Sequence, residues 1–224
     1  MTLTDKRAVV FGGTSGIGAA TVTALEEAGA TVIAASRSSS MHPVDLLDRE
    51  ALTRFFVQNG PFDVLVNSAV PSGRVQGPFP ELDLDGFQAT FNKFWGYLHS
   101  VRLGLQHLTE QASIVLVSGF PARKCRPGAS AISTVGNTVE GFVRAIAPEI
   151  APRRINAVSP GLIDTPLFPQ EGEERKEFLQ RAVHTHAIPR PGQADEVASA
   201  ILFLIQNEFT TGTVVDVDGG ALLP

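Results

Sequence analysis

Six short apolar runs recur along the chain, at residues 7–12 (RAVVFG), 31–36 (TVIAAS), 63–69 (DVLVNSA), 113–119 (SIVLVSG), 155–161 (INAVSPG) and 213–218 (TVVDVD). Each is rich in β-branched residues and nearly continuous in hydrophobicity, as a strand covered on both faces must be. Longer stretches with helical periodicity lie between them, near 16–28, 48–59, 85–108, 130–151, 170–183 and 193–207. A strand that is repeatedly followed by a helix builds βαβ crossovers, and crossovers build a parallel sheet with helices on both faces. The expectation is one α/β domain over residues 1–224, a doubly wound parallel sheet of about seven strands. A chain of 224 residues with 43 % hydrophobic residues supports one sizeable core rather than two.

The first run ends in FGGTSGIG, residues 11–18, immediately before a helical stretch. Gly12 permits a tight turn, Gly16 lets the backbone approach a phosphate, and Gly18 lets the helix pack close to the sheet. Thr14, Ser15 and Ile17 complete the turn, and the helix N-terminus behind it offers free N–H groups to an anion. A plain structural turn is the simpler reading of a glycine cluster. The placement between strand and amphipathic helix favours dinucleotide binding. From Ala28 to Val44 there is no acid to bind an adenosine ribose. The second run ends instead in Ser36-Arg37-Ser38, and a guanidinium among hydroxyls suits a phosphate. The cofactor expected is therefore NADP(H) in preference to NAD(H), against the simpler reading of a solvated loop arginine.

With these motifs in place, the chain resembles the short-chain dehydrogenase/reductase superfamily over essentially its whole length. The resemblance implies a Rossmann-like fold. It also implies that Asp45 and Leu46, in VDLLD, contact the adenine, and that Asn67-Ser68-Ala69-Val70 stands for the family's Asn-Asn-Ala-Gly. SPGLIDTP (159–166) is similar to the family's Pro-Gly segment, which implies nicotinamide contacts from Pro160, Gly161, the Ile163 backbone and Thr165. IPRPGQADEVASAILFL (188–204) and TGTVVDVDGG (211–220) resemble its C-terminal signature, and the segment near 166–192 would close over substrate. Only seven residues separate Arg37 from Asp45, so one flanking helix is expected to be deleted. The family's habit of pairing helices across a two-fold axis implies a homo-oligomer, dimer or tetramer, with Phe94, Trp95 and Phe142 at the interface.

The resemblance fails at the catalytic positions. Alignment through SGF and EGFVRAIAPEI puts Ile132 where the family has its proton-donating Tyr, and Gly136 where it has the Lys four residues later. Gly119 takes the place of the family's Ser, one residue after Ser118. In TFNKFWGYL (90–98), Lys93 takes the place of the Asn, with Asn92 adjacent. Composition makes the same point independently. The single tyrosine, Tyr97, precedes the run at 113–119, and no lysine lies between Lys124 and Lys176. A positioned general acid is typically worth about 10²–10⁴ in rate, so the usual mechanism is not open to this chain.

Candidates for a substitute are Lys93, whose stem could reach into space vacated at Gly136, and the hydroxyls of Ser118 and Ser133. Hydroxyls of that kind more often cap or back-bond a helix. In the loop 120–130, Arg123, Lys124 and Arg126 surround Cys125, a setting that would favour a thiolate or draw an anionic substrate. A solvated loop with an idle thiol is the simpler reading. His184 and His186 lack the further ligands a metal needs, and no metal is expected. The net charge of −5, with 18 scattered Lys and Arg, argues against nucleic acid. No apolar run approaches the roughly 18 residues of a membrane span. MTLTDKR has no signal-peptide stretch and there is one cysteine, so a cytoplasmic protein is expected. Two main readings stay open: an NADP(H)-dependent oxidoreductase of a small molecule with an altered proton relay, or a non-catalytic NADP(H)-binding sensor or structural module. Non-redox chemistry on the same scaffold is a third.

Overall fold

A computed structural model describes residues 2–224. In chain order the elements are β1 (Arg7–Phe11), α1 (Gly16–Glu27), β2 (Thr31–Ala35), α2 (Arg49–Asn59), β3 (Phe62–Asn67), α3 (Leu84–Thr90), α4 (Asn92–Gly104), β4 (Leu108–Val117), α5 (Ser130–Ile150), β5 (Arg154–Pro160), α6 (Gly172–Val183), α7 (Ala194–Gln206) and β6 (Val214–Val217). The strands form one parallel sheet in the order β2-β1-β3-β4-β5-β6. The order reverses direction between β1 and β3, and a crevice opens there beyond the carboxyl ends of the strands.

Alternation along each strand sorts the core into two layers. Val9 and Phe11 of β1 face α2, α4 and α5 with Phe56, Leu65, Tyr97 and Val139. Ala8 and Val10 face α1 and α7 with Leu25, Val66, Val197 and Ile201.

The sheet has six strands rather than seven. Beside β2 the chain makes only a single parallel bridge, Ser36 to Pro43, backed by the Val44 N–H on the Ser36 carbonyl at 3.1 Å. A parallel neighbour needs a crossover of about a dozen residues or more, and the seven residues after Arg37 are too few. No helix stands between β2 and Val44, as the short spacing implied. Aromatic packing closes that flank: the Phe11 ring lies 5.6 Å from Phe55 and 5.8 Å from Phe56, between centroids. The helix expected over 85–108 is two helices, broken at Phe91 between α3 and α4. Strand β4 begins at Leu108, five residues before the expected start. Among the described residues, no helix is long and apolar enough to cross a membrane.

Candidate active site

Two adjoining cavities occupy the carboxyl edge of the sheet, of about 650 and 670 Å³. Lys93, Ile17, Ser68 and Thr165 are part of the wall they share.

The first cavity lies over the glycine turn. Gly12 has φ +77°, and a side chain there would stand 2.7 Å from the Ala69 nitrogen. At Gly18 an added Cβ would overlap the Gly12 carbonyl and approach the Ser68 hydroxyl to 2.6 Å. The turn therefore tolerates only glycine if β1, β3 and α1 are to meet so closely. Helix α1 starts with no side-chain cap from Ser15 and no acid in its first turn, so its N–H groups face the cavity unspent. At the far end, the Thr14 hydroxyl donates to Ser36 at 2.9 Å and Ser36 contacts Ser38 at 3.3 Å. Arg37 reaches Ser72 at 3.3 Å and has no carboxylate partner among the described residues. Ser36, Arg37, Ser38, Asp45 and Leu46 all line this cavity, as do Thr14, Ser15, Gly16 and Ala69. The donor set — free helix N–H groups at one end, a guanidinium with hydroxyls at the other — fits a phosphate-bearing dinucleotide.

Asn67 lines neither cavity. It is fully buried, donating to the Ser100 hydroxyl at 2.9 Å and accepting the Ala69 N–H at 3.1 Å, so it shapes the turn from behind. Pro160, Gly161 and Ile163 line the second cavity, and Thr165 lies on the shared wall. The first cavity is also lined by Val44, Gly96 and Tyr97, to which the motifs gave no cofactor role. Gly96 lies against Leu46, where an added Cβ would be 3.1 Å from the Leu46 Cβ.

Lys93, on α4, projects between the cavities. Its ammonium donates to the Ser118 carbonyl at 2.9 Å and lies 5.5 Å from the centroid of the Tyr97 ring. It has no carboxylate partner among the described residues. Burial, and secondarily the nearby Arg74 guanidinium, lower its pKa to about 8. Asn92, its neighbour, lines the first cavity only. The Tyr97 phenol donates to the Val117 carbonyl at 3.1 Å, and burial raises its pKa.

The other candidates turn away. The Ser118 hydroxyl donates to Glu140 at 3.1 Å beneath the cavity, and only its carbonyl engages Lys93. Ser133 is buried, and its hydroxyl, unpartnered among the described residues, lines neither cavity. The basic loop does not gather around Cys125. Arg123 pairs with Asp216 and Glu140, while Cys125 is exposed outside both cavities with the Pro121 carbonyl 3.9 Å away. Lys124 and Arg126 line the second cavity. His184 is exposed and His186 is buried against Phe120, and the described residues contain no group able to hold a metal.

With this geometry in hand, comparison with known proteins is decisive. The family model described as enoyl-(acyl carrier protein) reductase matches residues 12–221. L-xylulose reductase of Mesocricetus auratus is 30 % identical, over 99 % of this chain and 98 % of that protein. A 3-oxoacyl-(acyl-carrier-protein) reductase of Thermotoga maritima is also 30 % identical, over the full length of both. The chain belongs to the short-chain dehydrogenase/reductase family. Among solved structures, a small-chain dehydrogenase in complex with NADPH superposes with TM-score 0.91 at 34 % identity, over 98 % of this chain and 99 % of that one. A blue fluorescent protein from a metagenomic library, also with NADPH, gives 0.86 at 26 % identity, over the full length of both.

Within this family member, the positions that the resemblance assigns to Tyr and Lys lie on α5, on the second cavity's wall. Ile132 presents an apolar surface there. Gly136 leaves no vacancy for Lys93 to fill: an added Cβ would stand 2.9 Å from the Ala122 Cβ. A 3-10 turn over Phe120–Ala122 packs onto α5, held by the Asn137 amide on the Ala122 carbonyl. Lys93 goes to the Ser118 carbonyl instead.

Proposed function

We propose that this protein is an NADP(H)-dependent oxidoreductase that interconverts a carbonyl compound and its alcohol, with Lys93 in place of the missing tyrosine as proton donor. One observation carries the reading: among the described residues, Lys93 is the only ionisable side chain on the wall common to the cofactor-shaped cavity and the second one. The preference for NADP(H) rests on Arg37, which has no acid beside it, and agrees with the NADPH held by two of the similar structures.

The first cavity's residues fit the dinucleotide. The α1 N-terminus would take the pyrophosphate, Ser36, Arg37 and Ser38 the 2′-phosphate, and Pro160, Gly161, Ile163 and Thr165 the nicotinamide end. When bound, the nicotinamide supplies a hydride. The Ser118 carbonyl holds one N–H of the Lys93 ammonium and leaves two free to donate. A substrate oxygen accepting one of them would take the proton as it gains charge, and the neutral amine would recover a proton from water. A pKa near 8 keeps the group protonated at neutral pH yet able to give the proton up. The reading includes a homo-oligomer paired through α4 and α5, where Trp95 is 47 % exposed and the Phe94 and Phe142 rings meet at 5.7 Å.

The test combines NADPH and NADH titration by calorimetry with a carbonyl panel followed by NADPH consumption. NADPH should bind the more tightly, and a panel member should turn over in the wild type but not in Lys93→Met. Turnover unchanged in that variant removes Lys93 from the mechanism. Tight NADPH binding with no turnover across the panel favours the sensor reading instead.

A further inference from the structure

The second cavity is positively charged, in a chain where Asp and Glu outnumber Lys and Arg by 23 to 18. Arg74, Lys93, Lys124 and Arg126 line it, and no Asp or Glu among the described residues does. They come from three separate places: the loop after β3, helix α4 and the loop after β4.

None of the four charges is neutralised by a carboxylate among the described residues. Arg74 has no hydrogen-bond or ion-pair partner there at all, although it is half-buried, and it lowers the proton affinity of Lys93. Lys124 is held by the Ala221 and Leu223 carbonyls, which are neutral, and the Arg126 guanidinium lies 5.7 Å from the centroid of the Phe120 ring. Neighbouring acids are already committed, Asp164 among them through its ion pair with Arg175. Asp216 and Glu140 pair with Arg123, and Asp218 accepts the Gly220 and Leu222 N–H groups. His186 packs on Phe120, close to Arg126 and Lys124. Its pKa is lowered by burial and then by Arg126 and Lys124, with Asp218 only partly opposing them. Like charges lining a low-dielectric cleft repel one another and focus a field that an anion relieves. The rest of the wall is apolar, with Ile132, Val135 and Leu162 and the Phe168 and Phe178 rings 5.4 Å apart.

We infer that the second cavity binds a small anionic substrate, an oxo compound bearing a carboxylate or phosphate on an apolar body. The apolar body would lie against the phenylalanines and the anionic group against Arg74 and its neighbouring cations. The oxo group rests on the redox reading above; the anionic group does not.

The decisive measurement is calorimetric titration of the protein, with and without NADP⁺, using benzoate, phenyl phosphate and neutral benzamide. At least one anion should bind about tenfold or more tighter than benzamide, the difference expected of one charge-assisted contact. The preference should shrink severalfold in Arg74→Gln and in Arg126→Gln, and should weaken with added salt. Comparing benzoate with phenyl phosphate separates the two kinds of anion. NADP⁺ affinity, unchanged in both variants, would show that they fold. Benzamide binding as tightly as both anions, an anion preference identical in both variants, or no binding of any of the three overturns the inference. A parallel assay compares reduction of benzoylformate with its methyl ester. Anion preference in binding without turnover of either compound would sink the redox reading and leave this one standing. Turnover of the ester equal to that of the acid, with no binding preference, would do the reverse.

Discussion

The two cavities share a wall and differ in how they are assembled. The first is built around one contiguous stretch, a strand, a glycine turn and a helix N-terminus within residues 7–27, with Ser36–Ser38, Val44–Leu47, Ser68–Pro71, α4 and Thr165–Leu167 closing around it. Its polar groups, including the unspent N–H groups of α1, are arranged as in any phosphate cradle. The second draws on α4, α5, α6 and the loops after β3, β4 and β5, and its wall carries Ile132, Gly136 and the cations Arg74, Lys93, Lys124 and Arg126. The contrast separates a site shaped by backbone from one shaped by side chains. Backbone geometry at a turn allows almost no substitution, whereas side chains on a wall can change one by one while the sheet stays intact.

Substitutions can test that division. The largest effect should come from Gly12→Val. With φ +77° and Ala69 backbone at 2.7 Å, the branched side chain has nowhere to go. NADPH affinity should fall about a hundredfold or more, as overpacking at a fixed turn costs roughly 1–3 kcal/mol and αL strain adds to it. Calorimetry checks this, and retained affinity would mean that the turn is not the phosphate site.

Next in size, Lys93→Met should lower kcat/KM for carbonyl reduction by about 10²–10³ while leaving NADPH affinity within severalfold. The wild-type reduction rate should decline as pH rises through about 8, and the variant should lose that dependence. The stability consequence has a definite sign. Between about 8 and the ordinary 10.5, the unfolded chain holds a proton that folded Lys93 has lost. Wild-type stability attributable to this group therefore rises with pH across that window, and it should be flat in Lys93→Met. Chemical denaturation at a series of pH values would show it.

Arg37→Gln should weaken NADPH binding by about tenfold or more and leave NADH nearly unaffected, since one charge-assisted phosphate contact is lost. Equal loss for both nucleotides would break the NADP(H) assignment.

Smaller effects are expected beneath the second cavity. Restoring the family pair as Ile132→Tyr with Gly136→Lys should fail to raise activity and should cost about 1–3 kcal/mol, because Ala122 already occupies the space beside Gly136. Ser118→Ala should cost about 1–2 kcal/mol by removing the donor to Glu140, with little change in turnover. A rate loss without a stability loss would return the Ser118 hydroxyl to the chemistry.

Much of this was legible in the residues. The strand–helix alternation located all six strands, and glycine spacing located the first cavity, because both signals are local and periodic. The missing seventh strand was not read, although its cause was visible: seven residues cannot carry a crossover. The break at Phe91 left no mark in the hydrophobic period, since α3 and α4 continue nearly the same face. Ser118 and Ser133 stood at plausible positions, but a position in a sequence does not tell which way a hydroxyl turns. Arg74 belonged to no motif; only its place among other cations gives it a role.

What the sequence alone determined is therefore the doubly wound parallel fold, the glycine turn for a dinucleotide and the absence of a second tyrosine. Each follows from short-range spacing or from composition, which folding cannot alter. Tertiary structure decided that Lys93 rests on the Ser118 carbonyl between two cavities, that Ala122 fills the place beside Gly136, and that four cations line one cavity with no acid on its wall among the described residues. Those facts depend on side chains brought together across the sheet from distant segments, where desolvation and mutual repulsion set their chemistry.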